Sequence, residues 1–305
     1  MKPLRLATRG SDLARTQSLA VADAVEQATG RASELVIVRT TGDREQKDAL
    51  AAVGGIGLFT KEVQEAVLDG RADYAVHSLK DLPASQVPGL KCAAIPVRED
   101  ARDYLLVRPD ALDPAASGPL PVRAGGRLGT AAARRSAFAR ALAPELSVEV
   151  LRGNVPTRVE RLRAGDYEAI LLAGAGLRRL GLDLSGLEVL PLEHETWPGA
   201  PGQGSLALEC RADDEATRAL LAAIHDAAAE ATVQAERSLL SALGGGCGLP
   251  LGAHAGRLDA DRAWMVAALG PTADGDPPLR RAVVEAASME ELAARAKQAL
   301  EGATS

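Results

Sequence analysis

The sequence has few aromatic residues and no excess of positive charge. Phe, Trp and Tyr together make up 2% of its 305 residues, and the formal net charge is −6 at pH 7. Proteins that bind nucleic acid usually present a basic face, and those that bind single strands add aromatic stacking platforms. The chain as a whole lacks both features, so we expect no nucleic-acid partner.

Cysteine, histidine and long apolar runs are scarce as well. The three cysteines, an odd number, form no C-x-x-C motif, which argues against a disulfide framework and against a zinc site. The four histidines show no metal-ligand spacing, so we predict no metal site. No run of about 18 apolar residues occurs, and residues 1–14 contain no apolar signal region. We therefore expect no membrane partner and a cytoplasmic location.

Short apolar runs alternate with amphipathic helical patterns through most of the chain. The predicted strands cover residues 4–7, 35–39, 74–78, 92–97, 128–129, 148–151, 169–173, 187–190, 206–210, 251–256, 263–269 and 279–284. The predicted helices cover residues 11–30, 60–68, 131–142, 155–164, 216–225 and 233–243, and a last helix follows the capping box of Ser288 and Glu291. This alternation predicts an α/β fold with a largely parallel sheet.

Two breaks interrupt the alternation. The first lies near residues 98–103 and leads into a stretch rich in Pro, Gly and Ala at 109–126, and the second covers residues 197–202. The last third of the chain has its own helices and strands. We predict that it forms a small α/β domain of its own.

Cys247 lies in a run of glycines, GGGCGLPLG at residues 244–252. Glycines on both sides keep bulky side chains away from the thiol and permit sharp backbone turns. This setting suits a thiol that carries or attacks a large group, although a free cysteine is more often a small buried hydrophobe. Cys92 and Cys210 lie within apolar strand patterns, and we predict that both belong to the core.

Two strand ends in the first third carry polar residues. Arg9 and Ser11 follow the first strand where a helix begins, a junction that favours anions, although an ordinary surface arginine beside a cap has the same sequence. Ser78, Lys80 and Asp81 follow the strand at 74–78. Ligands of open α/β sheets bind beyond the carboxyl ends of strands, but a solvated turn closed by a proline fits this segment equally well.

A glycine loop and a series of arginines complete the candidates. The loop at residues 54–61 ends in Lys61 and matches neither a P-loop nor a complete dinucleotide-binding motif. The arginines at strand ends and helix starts are Arg134, Arg135, Arg152, Arg158, Arg178 and Arg179. Because the guanidinium fork matches a carboxylate bidentately, this series indicates a ligand with several carboxylates. The alternative is that these arginines lie on exposed helix surfaces and contribute only to solubility.

Together these segments resemble the hydroxymethylbilane synthase family, also called porphobilinogen deaminases. The matching segments, in the order of the family, are ATRGSDLA (7–14), GLFTKE (57–62), RADYAVHSLKDLP (71–83), LGTAAARR (128–135), RGNVPTR (152–158), AGLRRL (175–180), PGQGSLALECR (201–211) and GGGCGLPLGAHA (244–255). They span nearly the whole chain, and AVHSLKDLP and GGCGLPLG are highly specific.

The resemblance implies three domains. Two would resemble the lobes of type II periplasmic binding proteins, joined by hinge crossovers near 98–103 and 196–201, with the active-site cleft between them. Domain 1 would comprise residues 1–98 and 200–226, and domain 2 residues 103–196. Domain 3, residues 228–305, would be the small α/β domain that carries the cofactor cysteine.

The resemblance also implies the chemistry. Cys247 would hold a dipyrromethane cofactor through a thioether, made by the apo-enzyme from its own substrate. Four porphobilinogen molecules would be condensed onto it with loss of ammonia, and hydrolysis would release linear hydroxymethylbilane. Asp81 would be the catalytic carboxylate, since it can stabilise the positive charge that develops on the pyrrole and can exchange a proton. We expect a monomer.

The acetate and propionate arms of each pyrrole ring would need cations and hydroxyl donors. The positions that match those of the family are Arg9, Ser11, Lys61, Ser78, Lys80, Thr130, Arg134, Arg135, Arg152, Arg158 and Arg179. The chain departs from the family where many members have Lys instead of Ile56, and where a serine pair is usual instead of Ala131 and Ala132. Two alternatives are a two-lobed protein that binds a carboxylate without catalysis, and a thiol-dependent transferase with an acyl-type intermediate.

Overall fold

A computed structural model describes residues 2–38, 60–83, 85–116, 118–246, 248–259, 261–272 and 276–302. The strands are β1 (Leu4–Arg9), β2 (Ser33–Val38), β3 (Tyr74–Ser78), β4 (Leu90–Ala94), β5 (Asp103–Val107), β6 (Arg127–Gly129), β7 (Ser147–Glu149), β8 (Ala169–Ala173), β9 (Glu188–Pro191), β10 (Leu206–Arg211), β11 (Leu251–Arg257), β12 (Ala263–Leu269) and β13 (Arg280–Ala286). The helices are α1 (Asp12–Thr29), α2 (Lys61–Leu68), α3 (Ala133–Leu142), α4 (Val155–Arg163), α5 (Gly174–Leu180), α6 (Glu215–Ala222), α7 (Ala227–Ala242) and α8 (Met289–Gly302).

The chain divides into two compact units, residues 1–99 with 204–231 and residues 100–203 with 232–305. The first unit contains a five-stranded sheet in the order β2-β1-β3-β10-β4. Strand β1 is parallel to both β2 and β3, whereas β10 is antiparallel to β3 and β4. The carboxyl ends of β1, β2 and β3 therefore lie at one edge of this sheet.

Helix α1 shows how the sequence sets the limits of an element. The Ser11 hydroxyl accepts a hydrogen bond from the N–H of Ala14 at the start, and Gly30 ends the helix in the left-handed region with φ of 70°. Val21 and Val25 on its inner face pack with Leu6 and Leu208 of the sheet. The opposite face of the sheet packs against α2 through a second core cluster. Both faces of the sheet are thus covered, as the unbroken apolar strands require.

The second unit contains a sheet of the same design, in the order β7-β6-β8-β5-β9. Strand β6 is parallel to β7 and β8, and β5 is antiparallel to β8 and β9. The three parallel strands, the antiparallel fourth and the outer fifth repeat the arrangement of the first unit. This sheet therefore also gathers three carboxyl ends at one edge.

A smaller antiparallel sheet, β11-β12-β13, with helix α8 completes the second unit. It packs closely on the rest of that unit: a Cβ at Gly252 would lie 3.0 Å from Cζ of Phe138, and a Cβ at Gly270 would lie 2.5 Å from Cβ of Ala137 in α3. Ala268 of β12 belongs to the same core cluster as Phe138 and Trp197. None of the described helices is long and apolar enough to cross a membrane.

The predicted fold class is confirmed, and several element bounds differ. Strand β5 and helix α5 were not predicted, the strand predicted at 92–97 lies at Leu90–Ala94, and the helix predicted at 233–243 begins at Ala227. Helix α5 begins with Gly174, where a Cβ would lie 2.5 Å from Cε1 of Tyr104, so this glycine reflects close packing instead of a loop. The three-domain boundaries stay a prediction, and so does the glycine loop at 54–59, which lies outside the described residues.

A buried ionic cluster joins β5, the first turn of α3 and the segment after β9. Asp103 is fully buried, and its carboxylate accepts hydrogen bonds at 2.7 Å from Nη2 of Arg134 and from Nη2 of Arg135. Trp197 Nε1 and Gln203 Nε2 also donate to it, each at 2.9 Å. Burial alone would raise the pKa of Asp103, but the charges of Arg134 and Arg135 hold it well below the usual value. The carboxylate therefore stays ionised and fixes both arginines.

Replacing Asp103 by Asn should destabilise the protein, because two buried guanidinium groups would lose their negative partner. We expect the free energy of unfolding in a guanidinium titration to fall by about 3–5 kcal/mol. Asp110→Asn is the matched control, since Asp110 also lies near two arginines, Arg108 and Arg123, but is exposed. Its effect should be much smaller, and equal effects of the two substitutions would contradict the role of the cluster.

Candidate functional site

The predicted residues of the first unit lie where parallel strands end and helices begin. Arg9 is the last residue of β1, and Ser78 is the last residue of the neighbouring strand β3. Helix α1 starts after Ser11, and α2 starts with Lys61. In an open α/β sheet this edge is where ligands bind. The structure therefore places these predicted residues at the edge that the argument from sequence requires.

The hydroxyl groups and the lysine at this edge are held differently. Ser11 Oγ accepts the N–H of Ala14 at 3.4 Å, and Ser78 Oγ donates to Oε1 of the buried Gln17 at 3.4 Å. Lys61 is largely exposed, and its Nζ lies 3.9 Å from Glu65 Oε1. An exposed ion pair at this distance is weak, so Lys61 can turn to another carboxylate.

Asp81 lies on a short 3₁₀ turn, Leu79–Asp81, directly after β3. Two backbone hydrogen bonds fix this turn: the N–H of Leu79 donates to the carbonyl of Ser205 at 3.0 Å, and the N–H of Leu82 donates to the carbonyl of Leu79 at 3.2 Å. Leu79 and Leu82 are buried, whereas Asp81 is exposed. The apolar anchors on both sides leave this carboxylate as the group that the turn presents to solvent.

A buried polar group that was not predicted from the sequence supports the end of β3. His77 Nε2 lies 3.2 Å from Oε2 of Glu209, and the same oxygen accepts a hydrogen bond from Gln64 Nε2 at 2.7 Å. All three side chains are buried. The available signal was a glutamate inside the apolar strand LALECR, since a buried carboxylate needs a partner. The sequence pattern alone assigns no role to any histidine.

In the second unit, predicted site residues again follow the ends of parallel strands. Thr130 follows β6, Arg152 follows β7, and Arg179 lies in α5, which follows β8. Thr130 is buried, and its Oγ1 accepts the N–H of Ala132 at 3.3 Å. Ala132 occupies the N-cap position of α3 without a side-chain hydrogen bond, as expected where a residue without a hydroxyl replaces serine.

The arginines at the start of α3 combine tight fixation with an unused donor. Arg134 Nη1 donates to the carbonyl of Pro198 at 3.0 Å, and Arg135 Nη1 donates to that of Leu171 at 2.9 Å, in addition to their bonds to Asp103. Arg135 Nε is buried and has no hydrogen-bond partner among the described residues. With two guanidinium groups and one carboxylate, the cluster keeps a positive charge at this edge.

Arg158 adds a second positive charge beside Arg135. Its Nε donates to the carbonyl of Gly153 at 2.7 Å. Burial lowers the pKa of Arg158, and the charge of Arg135 lowers it further. Because these two like charges repel each other, an anion bound near them would relieve the repulsion and could pair with the unpartnered Nε of Arg135.

Arg152 lines a cavity of about 540 Å³ within the second unit. Thr130, Ala131 and Gly248 also line it. Cys247 itself lies outside the described residues, as does Ile56, but the chain neighbour of Cys247 thus borders a cavity that contains two predicted ligand residues. Of the other thiols, Cys210 is buried and Cys92 is half-buried, and burial raises the pKa of Cys92 to about 11.

The predicted residues thus form two groups, one at the sheet edge of each unit. Arg9, Ser11, Lys61, Ser78, Lys80 and Asp81 belong to the first, and Thr130, Arg134, Arg135, Arg152, Arg158 and Arg179 belong to the second. Their individual roles toward a ligand stay predictions. What the structure adds is Asp103, which fixes two of the arginines and which lies in the predicted break near residues 98–103.

Comparison with known proteins identifies the family. The model "Porphobilinogen deaminase, dipyromethane cofactor binding domain" matches residues 4–219, and the model of the porphobilinogen deaminase C-terminal domain matches residues 230–299. Porphobilinogen deaminase of Sorangium cellulosum is 45% identical over 281 residues, which are 92% of this chain and 90% of that protein. Porphobilinogen deaminase 1 of Streptomyces coelicolor is 47% identical over 258 residues, which are 83% of this chain and 78% of that protein.

Among solved structures, the periplasmic VFT2 domain of BvgS from Bordetella pertussis is similar over 74% of this chain and 88% of that domain, with 16% identity and a TM-score of 0.44. The two family models together cover both units and extend into the C-terminal helix α8. The chain belongs to the porphobilinogen deaminase family.

Proposed function

We propose that this protein is a hydroxymethylbilane synthase, a transferase of tetrapyrrole and heme biosynthesis. It condenses four porphobilinogen molecules, each with loss of ammonia, onto a dipyrromethane cofactor attached to Cys247, and it releases linear hydroxymethylbilane by hydrolysis. The observation that carries the proposal is the double sheet edge: arginine and hydroxyl groups lie near the carboxyl ends of the strands in both units, and the first edge also has two lysines and Asp81. The family relationship agrees with it.

The second unit fits a covalently held dipyrromethane. Such a group carries carboxylate arms, and the edge offers the unpartnered Nε of Arg135, the adjacent guanidinium of Arg158, and Arg152 in the cavity beside Gly248. Cys247 would attach the group through its sulfur, and these arginines with Thr130 would hold its arms. When bound, the cofactor supplies the pyrrole α-carbon that acts as nucleophile.

Arginine suits this task better than lysine. Asp103 and two main-chain carbonyls occupy the outer nitrogens of Arg134 and Arg135, so neither side chain has to be ordered when a ligand arrives. Prior ordering lowers the entropic cost of binding. Arg135 then offers its Nε and its charge, whereas Arg134 contributes charge and keeps the first turn of α3 in place.

Asp81 is the residue we assign to the chemistry. Its turn is fixed by backbone hydrogen bonds, and the carboxylate is exposed at the edge where Ser78 and Lys80 also lie. A carboxylate in this position accepts a hydrogen bond from the pyrrole N–H of the substrate. It stabilises the positive charge that develops on the pyrrole ring as ammonia leaves. It then takes up the proton that is lost when the ring regains aromaticity.

A two-lobed protein that binds a carboxylate without catalysis is the alternative. It accounts for the arginines but not for the family match, which covers a cofactor-binding domain and the C-terminal domain. The cytoplasmic location and the monomeric state stay predictions.

The proposal is tested by following substrate and ammonia together. Purified protein incubated with porphobilinogen should release one ammonia for each substrate consumed and should form a linear tetrapyrrole, measured by an ammonia assay and by liquid chromatography with mass spectrometry. Substrate that is bound but returned unchanged, without ammonia, would support the binding-only alternative instead.

Replacing Asp81 by Asn should reduce turnover by about 10²-fold or more, since the group that stabilises the developing charge is lost. Turnover is measured per molecule that carries the cofactor, counted by intact mass, so that incomplete cofactor assembly does not mimic the effect. Asp69→Asn is the matched control. Asp69 is an exposed carboxylate at the C-terminal end of α2, whereas Lys61 at the other end of that helix lies at the sheet edge, and the variant should be close to wild type. Near-normal turnover of the Asp81 variant would remove Asp81 from the mechanism.

A further inference from the structure

The cavity beside Arg152 extends away from the sheet edge along helix α3. Ala133, Ser136, Ala137, Arg140 and Ala141 line it, and their spacing of three and four residues places them on one face of that helix. The facing wall is formed by prolines that flank strands of the C-terminal sheet, Pro250, Pro271 and Pro278. The whole cavity lies within the second unit.

The charge of this cavity is positive and unbalanced. Arg140 and Arg152 both line it, and neither makes an ion pair or a hydrogen bond with any residue that the structure describes. No Asp or Glu occurs among the described lining residues. Most other arginines of this unit have a carboxylate or carbonyl partner. Two free guanidinium forks that share one cavity constitute a site for a ligand with more than one carboxylate.

The volume and the walls of the cavity suit a small ring. Its volume of about 540 Å³ falls within the range of small-molecule sites, roughly 300–1,000 Å³. The small alanine side chains of α3 and the facing prolines form smooth apolar walls, and the hydroxyls of Thr130 and Ser136 add donors. Apolar walls with a few polar groups and two cations match a pyrrole that carries short carboxylate arms.

The position of the cavity relates it to chain growth. Thr130 and Arg152, which line the cavity, are among the residues predicted to hold the cofactor, and Gly248, the chain neighbour of Cys247, lines it as well. Each condensation adds a ring with two more carboxylates, whereas the number of cations at the sheet edge is fixed. Cations beyond the site of condensation would therefore pair with the carboxylates of rings already joined.

We propose that this cavity is a station for the growing oligopyrrole, with Arg140 as the cation that pairs with a carboxylate arm of a ring displaced from the site of condensation. The proposal rests on the proposed function and assigns a binding role to a residue outside the matched family motifs. Arg140 has no part in attaching the cofactor or in the first condensation. It acts when the chain has grown long enough to reach it.

The test is Arg140→Gln, compared with Arg123→Gln, an exposed arginine of the same unit outside the cavity. Enzyme is mixed with limiting porphobilinogen, and the complexes that carry successive rings are separated by anion exchange and counted by intact mass. We expect the Arg140 variant to load its cofactor normally and to add the first ring within about twofold of the wild-type rate. Later additions should slow about fivefold, so that complexes with few rings accumulate.

A second readout does not depend on turnover. Phenylglyoxal modifies accessible arginines, and peptide mapping reports each site separately. In the wild-type protein Arg140 should react in the resting enzyme and become protected, about fivefold or more, in isolated complexes that carry several added rings, while Arg123 should react equally in both.

The outcomes separate this proposal from the proposed function. Wild-type protein that forms no ring-bearing complexes and releases no ammonia would overturn both. Two results would overturn the station alone. One is normal turnover of Arg140→Gln with an unchanged distribution of complexes. The other is equal reactivity of Arg140 in the wild-type protein before and after ring addition. Equal slowing of every step, including cofactor loading, would show that Arg140 is structural and would also overturn it.

Discussion

The second sheet edge depends on one buried carboxylate. Burying Arg134 and Arg135 in the first turn of α3 would be prohibitive without a negative partner, and Asp103 supplies it from the start of a neighbouring strand. Two guanidinium groups against one carboxylate leave an excess positive charge, which lies where an anionic ligand would meet the ends of the parallel strands. Trp197 and Gln203 also donate hydrogen bonds to the Asp103 carboxylate. The same group therefore fixes the arginines and holds β5 to the segment after β9.

Both units have a sheet edge of the same design. Because both contain three parallel strands followed by an antiparallel fourth, each has a single edge at which strands end and helices begin. One edge offers the exposed Asp81 on a fixed turn, and the other offers arginines fixed by Asp103. A reaction that joins rings bearing carboxylates requires both kinds of group: one that responds to developing positive charge, and several that hold negative arms.

The sequence predicted much of this arrangement because local patterns determined it. The strands at 74–78 and 169–173 were predicted with the bounds observed, and Ser11 and Gly30 delimit helix α1 as expected. Asp103 was missed since its pairing comes from residues distant in the chain, and a charge next to a break gave no sign of burial. The contact between His77 and Glu209 was missed for the same reason, because it joins neighbouring strands that are far apart in sequence.

The central claim is that the edge residues hold a carboxylate-bearing oligopyrrole tethered to Cys247. It is tested most directly by mass spectrometry of the proteolytic peptide that contains Cys247, prepared from the purified, active protein. The account predicts an adduct of two pyrrole units that survives acid and hydroxylamine, as a thioether does. An unmodified Cys247 in protein that converts porphobilinogen, or an adduct that hydroxylamine removes, would contradict it.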